Sequence, residues 1–243
     1  MSNSQNAVLS TPELVELTLS HLPIRDLLII APLVCKTWQA LTLTPALQRA
    51  LFFEPDPSYR AERVRNPLLM EMFAPFYSAV STERWTWPTA KDIKWMPWSK
   101  APHAFNRPEA SWRRMLVAQP PPRKMLISET CHGRGGICDR RAVLDDQPLR
   151  MGRLYDITLP LIDRVVTSFC VRWSHDGDND SPSDITLSVD YVQQCAMGIR
   201  HVLGNQFYNT ATRYKTNLTF GDWSGIRAHP VEESDGDPDE ESD

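Results

Sequence analysis

Long hydrophobic runs are missing from this 243-residue sequence. The longest, residues 27–35, spans nine positions and contains Pro32, whereas a bilayer-spanning helix needs about 20. No transmembrane segment and no membrane partner are therefore expected. Residues 1–7 also lack the basic and apolar regions of a secretory signal. Cysteines are few: Cys35, Cys131, Cys138, Cys170 and Cys195 are scattered and odd in number. That pattern predicts reduced thiols and a cytoplasmic or nuclear location. Strong basic charge is absent as well. Net charge is −4, and residues 232–243 carry eight acids with no Lys or Arg. With those eight set aside, the 30 acids fall to 22 against 26 basic residues. Such a body is too weakly basic to neutralise a duplex, so no nucleic-acid partner is expected. At 42% hydrophobic and 23% charged residues, the chain is neither wholly disordered nor collagen-like.

The sequence opens instead on short apolar-striped helices. Ser10 with Glu13 three residues on fits a capping box, and Pro12 is tolerated in a first turn. Leu14, Val15, Leu17, Leu19 and Leu22 make a stripe broad enough to need contacts on more than one side, and Pro23 ends that helix. A second helix carries residues 26–30 and is interrupted at Pro32. Val34, Trp38 and Leu41 at i, i+4 and i+7 predict one face of a third. Leu47, Ala50 and Leu51 after Pro45 give a last stripe. So small a unit hides little of its own surface. Its surplus apolar face must lean on the rest of the chain, as a cap, or on a partner.

Read in order, Glu13-Leu14-Val15, Leu17, Leu19, Leu22-Pro23, Asp26-Leu27-Leu28, Val34-Cys35-Lys36, Trp38, Leu41, Pro45 and Leu47 resemble an F-box. The resemblance covers residues 10–52. It implies a three-helix module that docks on the Skp-family adaptor, and through it on the cullin, of an SCF-type ubiquitin ligase. The adaptor-binding residues it implies are Pro12, Leu14, Leu22, Pro23, Leu27 and Leu28. Val34 and Trp38 are expected to hold the helices together, or to share the interface. The chain departs from the usual pattern at Ser10-Thr11, where the family opens with Leu-Pro, and at Thr18, in a normally apolar slot. Residues 26–34 also run one residue longer than usual.

Residues 55–122 hold eleven of the twenty prolines and five of the eight tryptophans. A helix is predicted over 65–73, capped by Asn66 with Pro67 in its first position. Residues 85–98 are too often broken by proline for a long regular element. Tryptophan buries much area and needs a partner for its indole N–H, so the segment reads as an ordered strap packed on the domain. An aromatic-lined ligand groove is the alternative. Residues 109–118 regain a helical period, stopped at Gln119-Pro120-Pro121-Pro122. Ser111-Trp112-Arg113-Arg114-Met115-Leu116, Gln119-Pro120-Pro121 and Met151-Gly152-Arg153-Leu154-Tyr155-Asp156 resemble segments behind the F-box of many filamentous-fungal F-box proteins. That likeness implies a shared C-terminal domain without an assigned chemistry.

Strands are predicted over 124–130, 164–173 and 185–192, with a last one in 216–227. The ten residues 175–184 suit an antiparallel hairpin between the second and third. Asp176, Asp178 and Asp180 alternate as at the start of a calcium loop, but Ser181 and Leu187 stand where glycine and the closing glutamate belong. Cys131, His132 and Cys138 bracket Gly133-Arg134-Gly135-Gly136 without the second ligand pair that zinc sites need, and read as a flexible loop. Neither a phosphate-binding lysine loop, a nucleophile elbow nor a His-Glu-x-x-His occurs. His103, His132, His175, His201 and His229 are dispersed.

The expected fold is α+β: a disordered 1–9, a three-helix F-box module over 10–54 and a Pro/Trp-rich strap over 55–122. A small antiparallel or mixed sheet with helices follows over 123–231, then a disordered acidic tail over 232–243. The expected function is that of a substrate receptor holding a target protein. No catalytic residue, cofactor or metal is expected. A non-ligase F-box scaffold is the alternative, and an enzyme with an unrecognised site comes behind it.

Overall fold

The computed structural model describes residues 11–58, 63–78, 83–96, 101–105, 107–133, 136–145, 148–162, 167–174, 183–192 and 228–230. The expectations for residues 1–9, 175–182, 216–227 and the acidic tail lie outside the described residues.

Thr11, not Ser10, is the N-cap of the first helix, α1 (Pro12–Ser20), and no side-chain cap bond forms. This helix buries Val15 and Leu19. Pro23 caps α2 (Ile24–Ile29), which buries Leu27. Pro32 does more than interrupt. It sits in the first turn of a separate helix, α3 (Ala31–Val34), where a missing N–H costs nothing. Cys35 is extended at φ −163°, ψ 167° and divides α3 from α4 (Lys36–Leu41). Val34 and Trp38 therefore share no helical face, contrary to their spacing. Val34 is 54% exposed, and Trp38 and Leu41 pack partly buried on the core.

The last helix of the head, α5 (Pro45–Ala50), ends in a left-handed turn. Phe53 N–H donates to Gln48 O at 2.8 Å and Phe52 N–H to Arg49 O at 2.9 Å, the bond pair that usually closes on glycine. The left-handed position is Phe52, φ 61°, a conformation costing a residue with a Cβ about 1 kcal/mol. Burial of its ring offsets that cost. The turn presents two carbonyls to the rest of the chain. Phe52 O accepts from Leu116 N–H at 2.7 Å, and Phe53 O from Arg150 Nη1 at 3.1 Å. Gln119 Nε2 reaches Arg49 O and Glu54 O beside them. The buried residues of the head, strap and sheet make one cluster, running from Val15 to Val189.

The strap holds β1 (Val64–Arg65), α6 (Pro67–Met72), α7 (Ala90–Lys94), α8 (Pro102–Phe105), α9 (Ser111–Arg114) and β2 (Ala118–Gln119). Asn66 caps α6 as predicted, accepting from Leu68 N–H and Leu69 N–H. The helix expected over 109–118 shrinks to α9. From Met115 the backbone is extended, and residues 115–119 are all buried. Their donors find partners elsewhere: Leu116 on Phe52 and Val117 on Leu149 O, while β2 pairs antiparallel with β1. These tertiary bonds override the local helical period. Phe73, Phe76, Phe105, Trp112 and Tyr155 pack as a buried aromatic cluster, with Trp112 stacked on Phe105 at 4.5 Å and its indole N–H on Phe105 O. Burial pushes the Tyr155 hydroxyl up to about 12, the charge of Asp156 adding to the rise and Arg113 opposing it.

Two elements were not among those expected: β4 (Gly136–Asp145) and α10 (Met151–Ile162). Strand β3 (Lys124–Gly133) pairs with β4 out to Gly133 opposite Gly136, with Cys131 opposite Cys138. What read as a flexible loop is mostly hairpin. After α10 come β5 (Thr167–Trp173), β6 (Ile185–Val192) and β7 (Ala228–Pro230), giving a mixed sheet of order β5-β6-β3-β4-β7. Among the described strands only β3 and β6 run parallel; β5 and β6 form the predicted antiparallel pair. One face, with Met125, Ile127, Phe169, Val171, Leu187 and Val189, is core. The alternate residues Ser128, Ser168, Thr186, Ser188 and Asp190 are half-exposed. The strap covers the β5 edge: Phe169 N–H donates to Pro88 O at 2.8 Å, and Thr89 bridges to Ser168.

At α10 a glycine is required by space. A Cβ on Gly152 would lie 2.8 Å from Arg113 Cβ and 2.9 Å from Arg113 O, so α9 and α10 meet through its bare backbone. Gly152→Ala is expected to destabilise by about 1–3 kcal/mol through overpacking, read as a lower Tm by calorimetry. An unchanged Tm would mean that the two helices part freely.

Asp184 clamps the sheet's lower end. Its Oδ2 accepts from Arg123 N–H (2.8 Å) and Lys124 N–H (2.9 Å), and its Oδ1 from Arg63 Nη2 (2.9 Å). Burial works against its charge, but those two backbone bonds and the Arg63 guanidinium outweigh it and hold the carboxyl below its usual range. The resulting stability is present above the ordinary aspartate value of about 3.9 and is lost as pH falls through the lower folded value. Asp184→Asn is expected to cost roughly 1–2 kcal/mol at pH 7 and less at pH 3. Denaturant melts at the two pH values check it.

Candidate interaction surface

The head is amphipathic in three dimensions, though each helix is too short to show it alone. Of the ten large hydrophobic residues exposed among the described residues, seven lie between Leu14 and Leu43. Leu14 and Leu17 come from α1, Ile29 and Ile30 from the α2–α3 corner, and Leu33 and Val34 from α3. Leu43 follows α4. Leu33 is 80% and Leu43 73% exposed. The inner faces of the same helices carry Val15, Leu19, Leu27, Ala31 and Leu47 into the core. Thr44 Oγ1 donates to Glu16 Oε1 at 2.7 Å, tying the entry of α5 to α1.

The six residues that the F-box resemblance implied divide between surface and core. Pro12, Leu14 and Pro23 are exposed. Leu22 and Leu28 are half-buried and pack against the core. Leu27 is buried, at 1% exposure, because α2 turns it inward onto the cluster. Val34 is the converse, carried outward by the break at Cys35. Leu17, Ile29, Ile30, Leu33 and Leu43 were not among the residues implied. Their signal was the apolar excess of the stripe, which one short head cannot bury on both sides.

A polar cluster sits where the strap crosses the half-exposed sheet face. Arg84 Nη1 donates to Asp190 Oδ2 at 2.7 Å, and His132 Nε2 lies 3.0 Å from the same oxygen. Arg84 Nη1 and His132 Nε2 are 3.3 Å apart. His132 stands on β3 and Asp190 on β6, held in parallel register. The expected loop would not have brought His132 to Asp190; strand β3 does so by running on to Gly133.

Among the described residues, no group of three or more His, Cys, Asp or Glu side chains is placed to hold a metal ion, and no helix is long and apolar enough to cross a membrane. A hollow between α10 and the sheet, lined by Met125, Leu144, Leu149 and Ile157 under Arg123, Lys124 and Arg153, encloses about 20 Å³, room for one water. Set against family models, curated proteins and solved structures, the chain matches none.

Proposed function

We propose that this chain is an F-box substrate receptor of an SCF-type ubiquitin ligase, binding a Skp-family adaptor through its helical head and a target protein through its C-terminal domain. The observation that supports this reading is the concentration of exposed apolar side chains on the head, in the segment whose residue order resembles an F-box. Monomeric surfaces rarely leave so much apolar area open without a partner. Such a receptor performs no bond chemistry. It raises the effective concentration of target lysines beside the ubiquitin thioester.

The test is co-expression of the full chain with a Skp-family adaptor, beside a Leu14→Asp/Leu33→Asp variant. The native chain is expected to purify as a stoichiometric complex. Two charges in an apolar interface should weaken it by about 100-fold or more, while Tm stays close to the native value. Failure of the native chain to bind, or equal binding by the variant, would overturn the reading. A complex whose targets keep the same lifetime when the protein is removed would make it a scaffold.

A further inference from the structure

The apolar surface of the head does not stop where the head does. Helix α2 leaves two residues exposed, Arg25 and Ile29, one turn apart on one face. Helix α6, in the strap, leaves three exposed, Pro67, Met70 and Glu71, which share a face at i, i+3 and i+4. The two helices pack on each other, and Arg25 Nη1 lies 3.6 Å from Glu71 Oε1 across their contact. That pair joins the exposed sides of α2 and α6. Ile29 lies one turn beyond Arg25, and Met70 is next to Glu71; they are 52% and 40% exposed. The inner face of α6, with Leu68 and Leu69, is buried in the core, so its outer face is presented without rearrangement.

We propose that the adaptor covering the head also covers α6, with Met70 as an apolar contact of that interface and the Arg25–Glu71 pair on its rim. The inference rests on the receptor reading and lengthens its surface, because α6 lies outside residues 10–52, where the F-box resemblance ends. Continuity carries it. Seven of the ten exposed large hydrophobic residues belong to the head, and Met70 is placed beside them by the α2–α6 contact. The other two, Val64 and Trp95, belong to β1 and to the end of α7. Apolar area bordered by charge is the usual anatomy of a protein-binding surface. With its side chains 66% and 68% exposed, the Arg25–Glu71 pair adds little to folding, which suits a rim.

The test is the Kd of the full chain for a purified Skp-family adaptor, measured by titration calorimetry for the native protein, Met70→Asp and Trp95→Asp. Met70→Asp is expected to weaken binding about tenfold with Tm close to native. Trp95→Asp should bind as the native chain does, since α7 starts at the β5 edge. Met70→Ser, which removes the side chain without adding charge, should shift Kd in the same direction and stands in if the aspartate lowers Tm. Native affinity in both Met70 variants, while Leu14→Asp/Leu33→Asp loses the adaptor, would overturn this inference and leave the receptor reading in place. Equal losses at Met70 and Trp95 would also overturn it. A native chain that ignores the adaptor would overturn both, and a dimer that Met70→Asp dissociates would put a second copy of the chain on α6 instead.

Discussion

Leu27→Ala is expected to lower stability by about 2–5 kcal/mol, while Leu14→Ala costs under about 1. Both leucines were assigned to one adaptor-binding surface by resemblance, and α1 and α2 treat them differently. Leu27 is 1% exposed and sits in the core cluster; Leu14 is 43% exposed. At roughly 2–4 °C per kcal/mol for a chain of this size, the Leu27 variant should melt at least about 4 °C lower. Equal melting of the two variants would mean that α2 does not pack as described. Loss of adaptor binding in a Leu27 variant would thus report unfolding, whereas the same loss at Leu14 reports the surface.

Asn66→Ala should be comparably severe, about 2–4 kcal/mol. The Asn66 side chain is fully buried, yet every polar atom on it is used. Oδ1 accepts from Leu68 N–H at 3.1 Å and Leu69 N–H at 3.2 Å, and Nδ2 donates to Leu116 O at 3.2 Å. Alanine would leave two buried donors and one buried acceptor without that partner. Asn66→Asp keeps the cap but removes the donor to Leu116 and buries a charge, so it should not rescue. Chemical denaturation of the three proteins checks the order; a fully stable Asn66→Asp would show that the bond to Leu116 contributes nothing.

Legibility followed from whether the deciding interaction was local. Asn66-Pro67 could be read directly, because cap and first turn lie within three residues of each other. The β5–β6 hairpin could be read from strict alternation, and Thr167–Trp173 and Ile185–Val192 pair as that alternation implies. Residues 115–118 could not, because their helical period is overridden by bonds to Phe52 and Leu149, far away in the sequence. Strand β4 was hidden by Asp139, Arg140 and Arg141, whose polarity suits a loop as well as a half-solvated strand. Helix α10 carried a readable stripe in Met151, Leu154, Tyr155, Thr158 and Leu161. Pro160 interrupts that stripe as a residue that disfavours helix interiors, yet the helix runs on to Ile162. The head's outward residues were legible only as a surplus. Which leucines face out depends on the break at Cys35, whose extended backbone no spacing rule signals.

The parallel pairing of β3 with β6 has a consequence for synthesis. Met125 is made well before its partner Ile185, and the intervening chain must first supply β4, α10 and β5. Domains fold in the order they emerge only when each is complete in itself, and here the head shares its core with Phe169, Leu187 and Val189. The leucines of the first helices therefore leave the ribosome with nothing finished to close upon. A chain stalled short of Ile185 lacks β6, the strand that joins β5 to β3, and its N-terminal helices wait exposed with it.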